Sequence, residues 1–248
     1  MTFGSHRVVR LTVLDFGSFD VGPGTRRIGI PGFLLETDQG ARLLVDTGFD
    51  PLYASDPMAA EARDGLSRFG NLVDFTARHT LPGQLALVGL IPDDITAVIL
   101  THGHIDHVGG LPLLRCPIYL TVRERAEPRP IYFDTARPIE WPDLPYVQFE
   151  ADTEIAKGIT LLPTPGHTPG HLSLLVTLPT GISLILAADA INRASEPCEG
   201  FPDAADPFEA ARSAARLVQL AQDHNAEILY GHDPVQWTLW PKAPKPWP

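Results

Sequence analysis

Thr101-His102-Gly103-His104-Ile105-Asp106-His107 decides the reading of this chain. Four imidazole or carboxylate side chains, His102, His104, Asp106 and His107, fall within six residues, directly after the apolar run Ile95 to Leu100. Crowding such groups together costs free energy unless something pairs with them. A divalent cation is the natural partner of neutral imidazole and carboxylate. Gly103 reads as leaving room where the backbone approaches the ion. Asp106 and His107 follow on a tight turn and can face elsewhere, so one short segment can serve two ions. Gly109-Gly110 then lets the chain leave sharply.

Outward from this stretch, three more ligand-type residues stand just beyond apolar runs. His167 follows the turn Thr164-Pro165-Gly166, Asp189 follows Ile182 to Ala187, and His232 follows Ile228-Leu229-Tyr230. Taken alone, a histidine at a strand end is more often a hydrogen-bonded structural residue than a ligand. Beside the first cluster, each becomes a metal-ligand candidate. Strand ends that converge on one rim of a sheet give a site with a rigid floor and loop walls. The candidates His102, His104, Asp106, His107, His167, Asp189 and His232 divide as three plus three plus one shared, with Asp189 able to bridge. Two ions about 3.5–4 Å apart lower the pKa of a shared water from about 15.7 to roughly 7. The donor set suits two divalent ions, zinc first, with iron, manganese or cobalt also fitting. His171 reads as a supporting or packing residue rather than a ligand. Asp46, in Val45-Asp46-Thr47-Gly48, reads equally as a turn residue and as a hydrogen-bond partner of a ligand imidazole.

The rest of the chain reads as α/β. Val8 to Phe16 is a strand, and Gly32 to Thr37 with Ala41 to Val45 flank the hairpin turn Asp38-Gln39-Gly40. Ile95 to Leu100, Ile118 to Val122, Ile159 to Leu162, Leu172 to Leu178, Ile182 to Ala187 and Ile228 to Tyr230 supply further strands. Asp56 caps a helix that starts at Pro57 and ends at Gly65 or Gly70, and a second runs from Pro82 to Val88. Asp206 caps a third that starts at Pro207, with Ala214, Leu217, Val218 and Ala221 as its apolar stripe. Two sheets, each covered by helices, fit this order. Gly17 to Pro31, which holds Gly22-Pro23-Gly24, and Ala126 to Pro145 read as loops. A single domain is expected over 1–240. The Pro-rich tail 241–248 is read as either mobile or a strap on a neighbouring subunit of a homodimer.

Composition narrows the partners. With 44% hydrophobic residues among 248, the chain can bury the core of one large domain. A net charge of −11 and no Lys/Arg cluster argue against a nucleic-acid partner. No apolar stretch approaches the ~20 residues needed to span a bilayer, and Met1 to Arg7 does not begin a secretory signal, so a soluble cytoplasmic chain is expected. Cys116 reads as a small core residue, and Cys198 is left unassigned.

His-x-His-x-Asp-His, then Pro165-Gly166-His167-Thr168-Pro169-Gly170-His171, then Ala187-Ala188-Asp189, then Gly231-His232-Asp233, resembles the metallo-β-lactamase superfamily. The resemblance runs from about residue 30 to about residue 235. It implies an αββα sandwich with a dinuclear site at one edge. It also implies His102, His104 and His167 on one ion, Asp106, His107 and His232 on the other, and Asp189 bridging. True β-lactamases of the superfamily usually carry Cys where Asp189 stands, which argues against antibiotic hydrolysis. The spacing, with Asp206-Pro207-x-x-Ala210, is most similar to N-acyl homoserine lactone lactonases. It therefore implies opening of a lactone ring, with Asp106 as proton shuttle. Other small lactones, esters or phosphodiesters, including pyridoxolactonase-like substrates, and a non-catalytic metal-binding module are the alternatives. Those lactonases commonly place Tyr three residues after the bridging Asp. Here Asn192 stands there, and its amide is expected to hold the substrate carbonyl. Phe49, Phe69, Phe75 and the aromatics of 132–141 are either an acyl-chain wall or simply core.

Overall fold

The structure, a computed structural model, describes residues 3–22, 26–132 and 136–248. Pro23 and Gly24 of the expected loop, and Phe133 among the candidate wall aromatics, lie outside those residues. Twelve strands form two sheets among the described residues. The first contains β1 (Val8–Val21), β2 (Arg26–Thr37), β3 (Arg42–Val45), β4 (Gly70–Val73), β5 (Ala97–Ile99), β6 (Ile118–Thr121) and β7 (Tyr146–Phe149), in the order β4-β1-β2-β3-β5-β6-β7. The second contains β8 (Thr153–Ala156), β9 (Ile159–Pro163), β10 (Leu172–Thr177), β11 (Ser183–Ala188) and β12 (Ala226–Tyr230), in the order β12-β11-β10-β9-β8.

Period-2 alternation sorts the apolar side chains into three layers. Leu11, Val13, Leu43 and Val45 of the first sheet meet Leu161, Leu174, Leu186 and Leu229 of the second in the central layer. Their strand neighbours Leu14, Leu44 and Val98 face outward onto Leu81 and Leu85 of the helix Leu81–Leu87. On the far side, Leu162, Leu175 and Ile185 pack against Ala210, Ala214 and Leu217 of the helix Pro207–Asp223. The fold is thus the expected αββα sandwich. No helix of the described residues is long and apolar enough to cross a membrane.

The expected helix starts are real. Asp56 accepts from the Ala59 N–H with Gly65 left-handed at the other end, and Asp206 accepts from the Phe208 and Glu209 N–H groups. Val218 departs from the expected stripe and is 39% exposed, because the packed face of its helix is narrower than the pattern. Cys116 is buried and Cys198 exposed.

The described residues of Gly17 to Pro31 are mostly strand rather than the expected loop. β1 runs on to Val21 and β2 begins at Arg26 as an antiparallel ribbon, with Ser18 opposite Gly29 and Val21 opposite Arg26, and β4 joins at Ser18–Val21. Gly17, Gly29 and Pro31 hide the alternation, and a register shift between Asp15 and Ser18 absorbs the irregularity. Directly opposite residues Asp20 and Arg27 form a cross-strand ion pair at 2.8 Å.

The tail 241–248 lies on its own chain. Because β4 pairs only with the end of β1, the earlier part of β1 has an open edge. There the Ala243 N–H donates to Val13 O and the Trp247 N–H to Leu11 O, each at 2.8 Å. Trp247 also meets Trp240, which packs on Phe33. Removing 241–248 should cost about 2–4 kcal/mol, from two hydrogen bonds and the uncovered indole surface. It should also promote self-association through the bared edge. Thermal melting and size-exclusion chromatography test this, and an unchanged melting temperature and elution volume would show the strap to be dispensable.

Candidate metal centre

His102, Asp189 and His232 sit just past β5, β11 and β12, and His167 sits on the loop between β9 and β10. Close backbone contacts bring these ends to one rim. Leu172 N–H donates to Thr101 O at 2.9 Å, joining the second sheet to the first cluster. Thr47 N–H donates to His107 O at 2.9 Å, and a Cβ on Gly109 would lie 2.0 Å from the Asp50 nitrogen. Gly166, at φ +135°, lets the His167 loop settle on the helix Pro207–Asp223, where a Cβ would meet the Ala210 nitrogen at 2.2 Å.

All seven candidates converge in two groups. His102, His104, His167 and Asp189 form one, and Asp106, His107 and His232 the other; within each, the donor atoms lie within 4.8 Å of one another. His104 Nδ1 is 3.0 Å from His167 Nε2, and His167 Nε2 is 3.3 Å from Asp189 Oδ2. Asp189 also reaches the second group: Oδ2 is 3.3 Å from His232 Nε2, and Oδ1 is 3.5 Å from His107 Nε2. Asp106 Oδ2 stands 3.5 Å from both His107 Nε2 and His232 Nε2. A tetrahedral ion with nitrogen donors about 2.0–2.1 Å away spaces them roughly 3.4 Å apart, so these separations suit one.

The buried lone pairs support the same fit. His102 Nε2, His107 Nε2 and Asp189 Oδ1 are buried without a hydrogen-bond partner. His232 Nδ1 meets Gly29 O at 2.9 Å. A carbonyl only accepts, so Nδ1 carries the proton and Nε2 turns its lone pair inward. Asp46 Oδ2 takes His107 Nδ1 at 2.7 Å and the Thr101 hydroxyl at 2.8 Å. With its proton spent on Asp46, Thr101 Oγ1 accepts from His102 Nδ1 at 3.0 Å. Asp46 is thus a partner of ligand-type imidazoles as well as a turn residue, at φ +59°.

Charge in the centre is matched to a cation. Burial lowers the His102 and His104 imidazoles, His104 to about 3. Burial would lower His232 too, but Asp189 and Asp106 outweigh it and raise it to about 9. Likewise, burial opposes ionisation of Asp189, but His232 and His167 hold it well below the usual carboxylate range. The carboxylates therefore draw positive charge to the imidazoles beside them, His107 and His232, while burial keeps it off His102 and His104.

Two features escaped the sequence reading. Glu124, fully buried, accepts from Gly103 N–H at 2.8 Å, from the Thr168 hydroxyl at 2.8 Å and from Gly170 N–H at 3.1 Å, tying the two ligand loops together. Burial raises its carboxyl, and these hydrogen bonds oppose the rise. Thr121-x-x-Glu124 matches a helix-capping pattern, and Thr121 Oγ1 accepts the Glu124 N–H at 3.1 Å, but nothing local marks the carboxylate as an anchor for two distant loops. Gly103 leaves room for the backbone of Pro130 and Ile131 and for Glu124, rather than for an ion as expected. His171 is the expected support: its Nε2 accepts the Asp189 N–H at 3.1 Å and its Nδ1 meets Thr164 Oγ1 at 2.9 Å. Asn192, expected to hold a carbonyl, has its Nδ2 3.1 Å from Glu196 Oε1. Of the aromatics read as either an acyl-chain wall or core, Phe49 and Tyr132 are core, while Phe69, Phe75 and Trp141 are partly buried against it.

An αββα sandwich with His and Asp donors gathered at one rim defines a class of metalloprotein. The chain belongs to the metallo-beta-lactamase superfamily, whose family model matches residues 29–232. It is 34% identical over 215 residues to the N-acyl homoserine lactonase AiiA of Bacillus thuringiensis subsp. kurstaki, covering 81% of this chain and 80% of that one. Lactonase AttM of Rhizobium radiobacter is 28% identical over 239 residues, with 88% and 87% covered. An N-acyl homoserine lactone hydrolase, solved with the product N-hexanoyl-L-homoserine at its catalytic metal centre, superposes with a TM-score of 0.82 at 27% identity, covering 97% of this chain and 100% of that one.

Asp46→Asn tests how the rim is held. The carboxylate serves three donors, the Thr101 N–H on Oδ1 and both the Thr101 hydroxyl and His107 Nδ1 on Oδ2, whereas an amide has one accepting oxygen, so the three bonds cannot all be kept. Metal affinity should fall about 10–100-fold, measured by competition with a chromophoric chelator. Unchanged affinity would mean that His107 is aimed by packing alone.

Proposed function

We propose that this protein opens the lactone ring of N-acyl homoserine lactones, using two divalent ions, zinc by preference, held by the seven rim residues. The observation that carries the reading is the donor set itself. Asp189 of one group reaches His107 and His232 of the other, and His102 Nε2, His107 Nε2 and Asp189 Oδ1 are buried without hydrogen-bond partners. The lactonase relatives supply the substrate class.

When bound, the ions polarise a carbonyl and lower the pKa of a shared water. Asp189 keeps the two ligand groups in register through its two oxygens. Thr101, Asp46 and Gly29 hold the outer nitrogens of His102, His107 and His232, which directs their Nε2 atoms inward. The Asp106 side chain is 15% exposed against 8% for Asp189, which leaves it the carboxylate with access to substrate. Asp106 accepts the proton of the attacking water and returns it to the ring oxygen as the C–O bond breaks.

Two measurements test this. Proton release from a long-chain N-acyl homoserine lactone should be fast with metal-loaded protein and absent after chelation. No ring opening by fully loaded protein would move the substrate to another ester. For Asp106→Asn, kcat should fall by about 10²–10⁴-fold while two ions per chain remain by elemental analysis, and unchanged turnover would rule out the shuttle.

A further inference from the structure

Asn192 stands beside the centre. It follows Asp189 by three residues, and its carbonyl accepts the His232 N–H at 2.8 Å. Its side-chain amide is oriented by chemistry. Glu196 Oε1 lies 3.1 Å from Asn192 Nδ2, and Oε2 accepts the Asn192 backbone N–H. Arg193 Nη1, 3.8 Å from Oε1, adds positive charge to the same carboxylate. Glu196 is itself buried. With Nδ2 donating to Glu196 Oε1, the amide oxygen faces away from Glu196. That Oδ1 is buried and has no hydrogen-bond partner.

A buried acceptor without a partner is costly, and in a site it awaits a donor from a ligand. Glu196 Oε1 takes one N–H of the Asn192 amide, so Oδ1 is the atom of this side chain left without a partner. Among the groups of an N-acyl homoserine lactone near the ring, the carbonyls and the ring oxygen only accept. The N–H of the amide that joins ring to acyl chain donates. We propose that Asn192 selects substrate by accepting this amide N–H on its Oδ1, with Glu196 as the positioning residue that fixes the orientation. The inference rests on the lactonase reading and names the group by which that site tells its substrate from a plain lactone.

The test compares two substrates on metal-loaded protein. One is the N-acyl homoserine lactone. The other is its carba analogue, in which CH2 replaces the amide N–H and the ring, carbonyl and chain are kept. Wild-type protein is expected to favour the amide by about 10-fold or more in kcat/KM, chiefly through KM. Asn192→Leu should bring that ratio close to unity whatever its absolute rate, and Asn192→Ser serves the same comparison if leucine cannot be accommodated. Glu196→Gln, which can donate as well as accept, should lower the ratio part of the way. For a variant too slow to assay, the Kd values of the two ring-opened products by calorimetry give the same ratio. A wild-type ratio near unity, or an Asn192→Leu ratio equal to wild type, overturns the proposal and leaves the lactonase reading standing. Wild-type protein that opens neither compound overturns both.

Discussion

A neutral imidazole has one N–H and one lone pair, and a metal centre needs every lone pair turned inward. That requirement organises the rim of this protein. Each outer nitrogen needs an acceptor that cannot itself offer a proton, or one whose proton is already spent. Gly29 O meets the first condition for His232, and the Asp46 carboxylate meets it for His107. Thr101 meets the second for His102, because its hydroxyl points to Asp46. One buried carboxylate therefore sets two imidazoles, one directly and one through a hydroxyl. Gly29 lies on the β1–β2 ribbon, so the same requirement explains why that ribbon reaches the site.

Carboxylates also hold the loops that carry the ligands. Asp46 accepts the Thr101 N–H at 2.8 Å, fixing the start of the first ligand loop to the end of β3. Glu124 accepts from both ligand loops, through Gly103 on one and through Thr168 and Gly170 on the other. Space is as constrained as charge. A Cβ on Gly170 would lie 2.0 Å from the Glu124 nitrogen. The glycines of the Pro-Gly-His-Thr-Pro-Gly-His segment thus serve the packing of loops against their anchors, leaving the histidines free to face the centre.

Much of this was legible in the sequence, for a physical reason. Ligand residues must be of particular types at strand ends, and strand ends announce themselves by apolar runs. His102, Asp189 and His232 could be placed on that ground, and Asp56-Pro57 and Asp206-Pro207 marked their helices by local capping chemistry alone. What escaped depends on contacts distant in sequence. The ribbon over 17–21 and 26–31 is stabilised by pairing between β1 and β2 and with β4, which its glycines, proline and charges conceal. β4, β7 and β8 are four-residue strands that owe their form to neighbours. Glu124 has a role only because the loops of 103 and 168–170 meet at it. The tail reads from sequence as mobile or as a strap on a neighbouring subunit, yet its N–H groups at Ala243 and Trp247 cap an edge strand of its own chain.

The placement of Asp189 shows how strain and hydrogen bonding are balanced at such a site. Ala188, just before it, has a φ of +45°, a left-handed conformation that costs a residue with a Cβ on the order of 1–3 kcal/mol. Parallel pairing of β11 with β12 shifts register at this point, and Gly231 admits the Ala188 carbonyl where a Cβ would lie 2.4 Å from it. The kink is held from behind by a directed chain of buried groups. Asp189 N–H donates to His171 Nε2, so His171 must carry its proton on Nδ1 and donate to Thr164 Oγ1. Ser173 Oγ donates to Ala187 O at 2.9 Å, so the Thr164 hydroxyl gives its proton to Ser173 at 2.8 Å. The chain closes around Ala188, from the amide after it to the carbonyl before it, and every member has one permitted direction. A strand end that would otherwise relax is thereby kept in the conformation that sets the Asp189 carboxylate between the two groups of imidazoles.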